Sequence, residues 1–136
     1  MTEMETVEKW FKKAGNDLNV AQRIFQDRHE DELDIVCFHC QQAAEKALKG
    51  YLIFYNAEPP RTHHLVKLCQ SAMEIDVSFS ELLDASSDLT PYAVEARYPD
   101  EELGITKPIT EQALKQAELI NNFCRSKVPL NNTDSL

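Results

Sequence analysis

The chain has 136 residues, 43% of them hydrophobic and 27% charged, and a formal net charge of −9. That balance excludes wholesale disorder and fits one domain with a real core. The negative charge opposes binding along a long nucleic-acid duplex, and no run of about 18 uncharged apolar residues exists to span a membrane. Only three glycines and few β-branched or aromatic runs point to an all-α fold. The acidic N-terminus lacks a signal-peptide pattern, so a cytoplasmic location is the default expectation.

In chain order, Val7, Trp10, Phe11, Ala14, Leu18, Ala21, Ile24 and Phe25 recur at helical steps and predict a first helix over 5–27, with Gly15 a mild weak point. The charged connection Arg28-His29-Glu30-Asp31 is too short to separate domains, so the next helix should fold back as a hairpin. That second helix, Leu33 to Tyr55, is the centre of the chain. Leu33, Val36, Cys37, Cys40, Ala44, Ala47, Leu48, Tyr51 and Tyr55 form its apolar face. On the other side His39, Gln42, Lys46 and Lys49 fall within an arc of about 80° at roughly 100° per residue. Ile35, Phe38 and Ile53 lie beside them, so this second face is expected to line a cleft or a homodimer contact.

Pro59-Pro60 ends the second helix, and Thr62 is placed to cap a third over 63–74 with His63 and His64 in its first turn. Ser78 or Ser80 can cap a fourth helix carrying Leu82, Leu83 and Leu89. Pro91 either kinks that helix or, with Thr90 as cap, opens a new one. Tyr92 to Pro99 should end at its proline. A loop follows over 100–109, and Thr110 is expected to cap a last helix over 111–126. The helical domain is thus placed at 1–128, with a frayed tail at 129–136.

The charge is uneven. From His39 to Met73 the chain carries a local +2, which leaves −11 on the remainder. A locally basic site on an acidic body suits a small anion or a few nucleotides. Cys37-x-x-Cys40 with His39 and His63 hints at zinc, but structural zinc pairs sit on turns and no second close pair exists. The four cysteines are better read as small buried thiols, with no metal and no cofactor expected.

Three motifs keep one order: Phe38-His39-Cys40-Gln41-Gln42-Ala43-Ala44-Glu45-Lys46-Ala47-Leu48-Lys49, then Arg61-Thr62-His63-His64-Leu65, then Tyr92 with Arg97-Tyr98-Pro99. Together they resemble the HEPN domain over about residues 5–127. The resemblance implies an up-and-down antiparallel bundle of about five helices, frequent homodimers, and frequent partnership with a small nucleotidyltransferase of the minimal type. Many HEPN proteins are also metal-independent RNases carrying R-x(4–6)-H. Here the chain departs from the pattern, because the histidine positions after Arg97 hold Glu102, Leu103 and Gly104, and those after Arg61 hold Val66, Lys67 and Leu68. Arg23 and His29 have the spacing, but at the end of the first helix. No residue is therefore assigned a catalytic role, and His39 or His63 would have to supply acid–base chemistry from elsewhere.

The expected nucleotide site is His39, Gln42, Lys46, Lys49, His63, Tyr92, Arg97 and Tyr98. Lys46 and Lys49 would hold phosphates as point charges and Arg97 as a fork, or their stems would pack and pair with Glu45 or Glu95. Gln42 would read a base edge or bond a neighbouring helix. Tyr92 and Tyr98 would stack on a base or pack in the core. The sharpest form of this expectation sets two mutually repelling lysines across a cleft from Arg97, with His63 at the rim and an anion between.

Overall fold

The computed structural model describes residues 2–27, 30–93 and 104–129, and contains no strand among them. Helix α1, Glu3–Gln26, opens on a reciprocal cap. Thr2 Oγ1 accepts from the Glu5 amide at 3.1 Å, and Glu5 accepts from the Thr2 amide at 3.3 Å. A 3₁₀ turn at Glu30–Glu32 leads into α2, Leu33–Phe54. Asp17 of α1 meets Lys46, and Phe11 lies against Gly50, so the two helices run antiparallel as their short connection requires.

More than half of α2 is buried, which makes it the central element. Helices α1 and α5 (Lys107–Ser126) flank it, and α3 (Leu65–Met73) and the Thr90–Ala93 turn also pack on it. Small residues permit that crowding: Ala43, Ala44, Ala47, Cys37 and Cys40 have no exposed surface at all. Leu48, Tyr51 and Leu52 fill the space between, each contributing about 1.5–3 kcal/mol through burial. The Tyr51 ring stands 4.3 Å from Phe79, and Phe79 meets Phe123 edge-on at 4.9 Å, closing one end of the core.

The remaining elements correct several expected boundaries. Helix α3 spans Leu65–Met73, and His64 rather than Thr62 is its cap residue. The hydroxyl of Thr62 accepts from the His64 amide at 3.0 Å, while the Leu65 amide is capped from afar by Thr90 at 3.2 Å. His63 therefore precedes the helix. A 3₁₀ segment, Val77–Leu82, comes before α4, Leu83–Leu89, and is capped by Asp76 instead of either serine. Ser78 donates to Asp76 through both its hydroxyl and its amide, and with Lys127 these bonds lower the Asp76 carboxyl to about 2. Pro91 does not lie within α4, which ends at Leu89, and positions 94–103 lie outside the described residues. Pro91 itself lies in a 3₁₀ turn, Thr90–Ala93.

Helix α5 spans Lys107–Ser126 and starts earlier than expected, because Thr106 is its cap and Pro108 is accommodated in the first turn. Thr110 is instead buried inside the helix, bonding back to Thr106 O at 2.8 Å. Cys37 faces Thr110, and Tyr55 reaches Lys127 O, so α5 runs in the direction of α2 and opposite to α1. The segment expected to end at Pro99, and most of the expected tail, lie outside the described residues.

All four cysteines are free and buried, as small apolar side chains would be. Burial holds every thiol above its ordinary range, with Cys37 at about 11. Among the described residues no helix is long and apolar enough to cross a membrane.

Candidate functional site

The polar arc of α2 is half-buried and lies between α1 and the linker that leads to α3. Two carboxylates organise it, one from each side. Asp17 of α1 accepts from His39 Nδ1 at 2.9 Å on one oxygen and from Lys46 Nζ at 2.5 Å on the other. Glu45, within α2 and only 5% exposed, accepts from His63 Nδ1 at 2.9 Å on one oxygen and from Lys49 Nζ at 2.8 Å on the other. Each carboxylate thus holds one histidine and one lysine.

Gln41 locks the second group. Its fully buried amide donates to Glu45 Oε1 at 3.1 Å and to the backbone carbonyl of His63 at 2.9 Å, and it accepts from Gln42 at 2.8 Å. The linker after Pro60 is fastened to α2 by these bonds. Burial alone would raise the Glu45 carboxyl, but the bonds from Lys49, His63 and Gln41 more than offset it, and its pKa lies below the ordinary value of 4.5. An ionised carboxylate can only accept, so Nδ1 of His63 carries a proton toward it and Nε2 is directed away from Glu45. The His63 side chain is 69% exposed, so that nitrogen is open to a ligand.

This geometry changes the expected site in two respects. The two lysines are not a repelling pair awaiting an anion, since each already has a carboxylate at bonding distance. On the helical wheel Glu45 stands at an angle to Lys49, but the i,i+4 spacing lets a long flexible stem cross that angle. Tyr92 is not brought to the arc. It packs partly buried against the core near Cys37 and Cys40 and lines a separate depression with Asp88, Ile109 and Gln116. Arg97 and Tyr98 lie outside the described residues. His39 and Lys46 are brought together on Asp17, and Gln42, Lys49 and His63 in the group around Glu45 and Gln41.

Asp17 is the participant that sequence reasoning missed. Its signal was its place beside Trp10, seven residues earlier, on the margin of the apolar stripe of α1, where a carboxylate is half-covered by α2. Gln41 was quoted only as part of a motif, yet it is the best-connected amide of the site. A surface groove of about 500 Å³ along Asn16, Asn19 and Arg23 has its described lining on α1 and includes none of these groups. Convergent chemistry, not volume, selects the α2 arc.

Comparison with known proteins gives a consistent picture. The HEPN domain family model matches residues 7–127. The chain is similar to TT1696 from Thermus thermophilus, with 29% identity and a TM-score of 0.75, over 90% of this chain and 98% of that one. It is also similar to ST0689, an archaeal HEPN homologue, with 26% identity and a TM-score of 0.69, over 89% and 96% of the two chains. No curated protein matches this chain.

Proposed function

The chain belongs to the HEPN family, and from that premise we propose that it is a non-catalytic helical module that binds a nucleotide or a short single strand of RNA on the polar arc of α2. It acts as a homodimer and with a minimal nucleotidyltransferase partner, in a pair of the toxin–antitoxin kind. The partner rests on the family resemblance. The binding role rests on one observation: Lys46 and His39 on Asp17, and Lys49, His63 and Gln42 in the group around Glu45 and Gln41, form two adjacent hydrogen-bonded groups on the half-covered side of the central helix. A buried carboxylate, Glu45, and a partly buried one, Asp17, that fix the orientation of more exposed donors are the arrangement a preorganised polar site requires.

Calorimetric titration with AMP, ATP and a short single-stranded RNA tests this. The wild type is expected to bind at least one of them and more tightly than Lys46→Ala, which leaves Asp17 without its lysine; Arg97→Ala is titrated beside them, and the RNA is expected to be recovered uncut. Equal, millimolar binding by all three proteins contradicts the proposal. Metal-independent cleavage that disappears with Arg97→Ala would establish the RNase alternative instead. The internal pairing of both lysines favours a second reading, a dimerising scaffold whose polar arc only sets helix register, and equal weak binding would select it.

The dimer has a separate basis. Ile35, Phe38 and Ile53 remain only half-buried in the single chain, next to the polar arc. A homodimer that covers them is expected in light scattering at micromolar concentration, and a species of 15.6 kDa alone would count against it.

A further inference from the structure

The charge state of the arc restricts what it can take. Lys46 is bonded to Asp17 and Lys49 to Glu45, so these two ion pairs together carry no net charge. An incoming phosphate meets two carboxylates along with two ammonium groups, and each lysine's attraction is offset by a partner at bonding distance. Arg61, two residues before His63, is exposed and therefore screened. The arc is poorly suited to a polyanion.

Hydrogen-bonding capacity remains. Gln42 uses one N–H on Gln41, and its other N–H with its carbonyl oxygen forms the donor–acceptor fork that matches the edge of a base. His39 and His63 are each held through Nδ1, and at the exposed His63 ring this leaves Nε2 facing away from Glu45. Trp10 borders the same arc from α1. It is half-buried, and its ring centre lies 6.0 Å from Lys49 Nζ. Aromatic rings and neutral amide forks are the parts that hold bases, independent of phosphate charge.

We propose that the arc recognises a nucleobase, with Gln42 at its edge and Trp10 as its aromatic border, and leaves the phosphate in solvent. Adenine is the favoured base, because a glutamine fork matches its N6 amine and N7. This rests on the reading above that the α2 arc is the ligand site, and it decides which half of the nucleotide is read.

Trp10 is the chain's only tryptophan, so its fluorescence reports on the arc directly. The test titrates adenosine, AMP, ATP and pyrophosphate against the intact protein, with calorimetry in parallel. Adenosine and AMP are expected to bind within about threefold of each other, and pyrophosphate is expected neither to bind nor to compete. A tenfold rise in salt should weaken AMP by less than about threefold, whereas a strand held by three phosphates would lose about a hundredfold. Gln42→Leu is expected to weaken adenosine about tenfold in a protein that still folds, with a melting temperature lowered by the lost bond to the buried Gln41 oxygen. ATP binding far tighter than adenosine, steeply salt-dependent and displaced by pyrophosphate, overturns the inference while leaving the binding role intact. Silence in both fluorescence and heat for every ligand overturns the two together.

Discussion

Glu45→Ala is expected to lower the unfolding free energy by about 3 kcal/mol and the melting temperature by about 10 °C. The carboxylate is nearly buried and satisfies donors from three residues, so its loss strands Gln41 in the interior and frees the linker that carries His63. The cost stays below that of a fully buried ion pair, because the exposed His63 and part of Lys49 regain water. Glu45→Gln keeps the shape but loses the charge, and should cost roughly half as much. Acid offers a further check. The folded Glu45 pKa lies below its ordinary 4.5, so its stabilisation is fully present above about pH 4.5 and fades as pH falls through the folded value. The stability gap between wild type and Glu45→Gln should therefore close on acidification below that pH. A gap that stays constant down to acid unfolding would show that the carboxylate's ionisation contributes nothing.

The second large effect concerns the contact between α1 and α2. A Cβ placed on Gly50 would lie 3.1 Å from the Phe11 ring and 3.2 Å from Trp10 Cβ, so the two helices approach each other on the absence of a side chain. Gly50→Val is expected to destabilise by about 3 kcal/mol, since a branched side chain cannot be absorbed by a small shift of Phe11. Gly50→Ala should be far milder, because a helix-propensity gain of about 0.8 kcal/mol offsets most of the crowding. Gly15 is the control. Nothing lies within 4 Å of its added Cβ, and Gly15→Ala should stabilise by about 0.5–1 kcal/mol. Chemical denaturation of the three variants measures this, and Gly50→Val as stable as wild type would refute the packing.

The helical stripes of α1, α2 and α5 were legible in the sequence because apolar residues at three- and four-residue steps have one efficient burial. The antiparallel pairing of α1 and α2 followed from a connection too short for anything else. Caps were less legible. Thr110 looked like a helix start, yet Thr106 holds that role because Pro108 fits a first turn, and α3 is capped by Thr90, which is distant in sequence. The polar arc could be located, but its electrostatics could not. Asp17 reaches Lys46 across 29 positions, a relation that exists only once the hairpin closes. His63 was found through its motif, while the carboxylate that orients it was already in plain view at Glu45, interpreted only as a neighbour of lysines.

The most direct test of the account follows the backbone amides by nuclear magnetic resonance during addition of AMP. The predicted result is a saturable set of shifts centred on residues 39–49 and 61–65, with the Trp10 indole moving in step. Shifts confined to the groove along Asn16, Asn19 and Arg23, or no shifts at all, would contradict the claim that the polar arc of α2 is the ligand site.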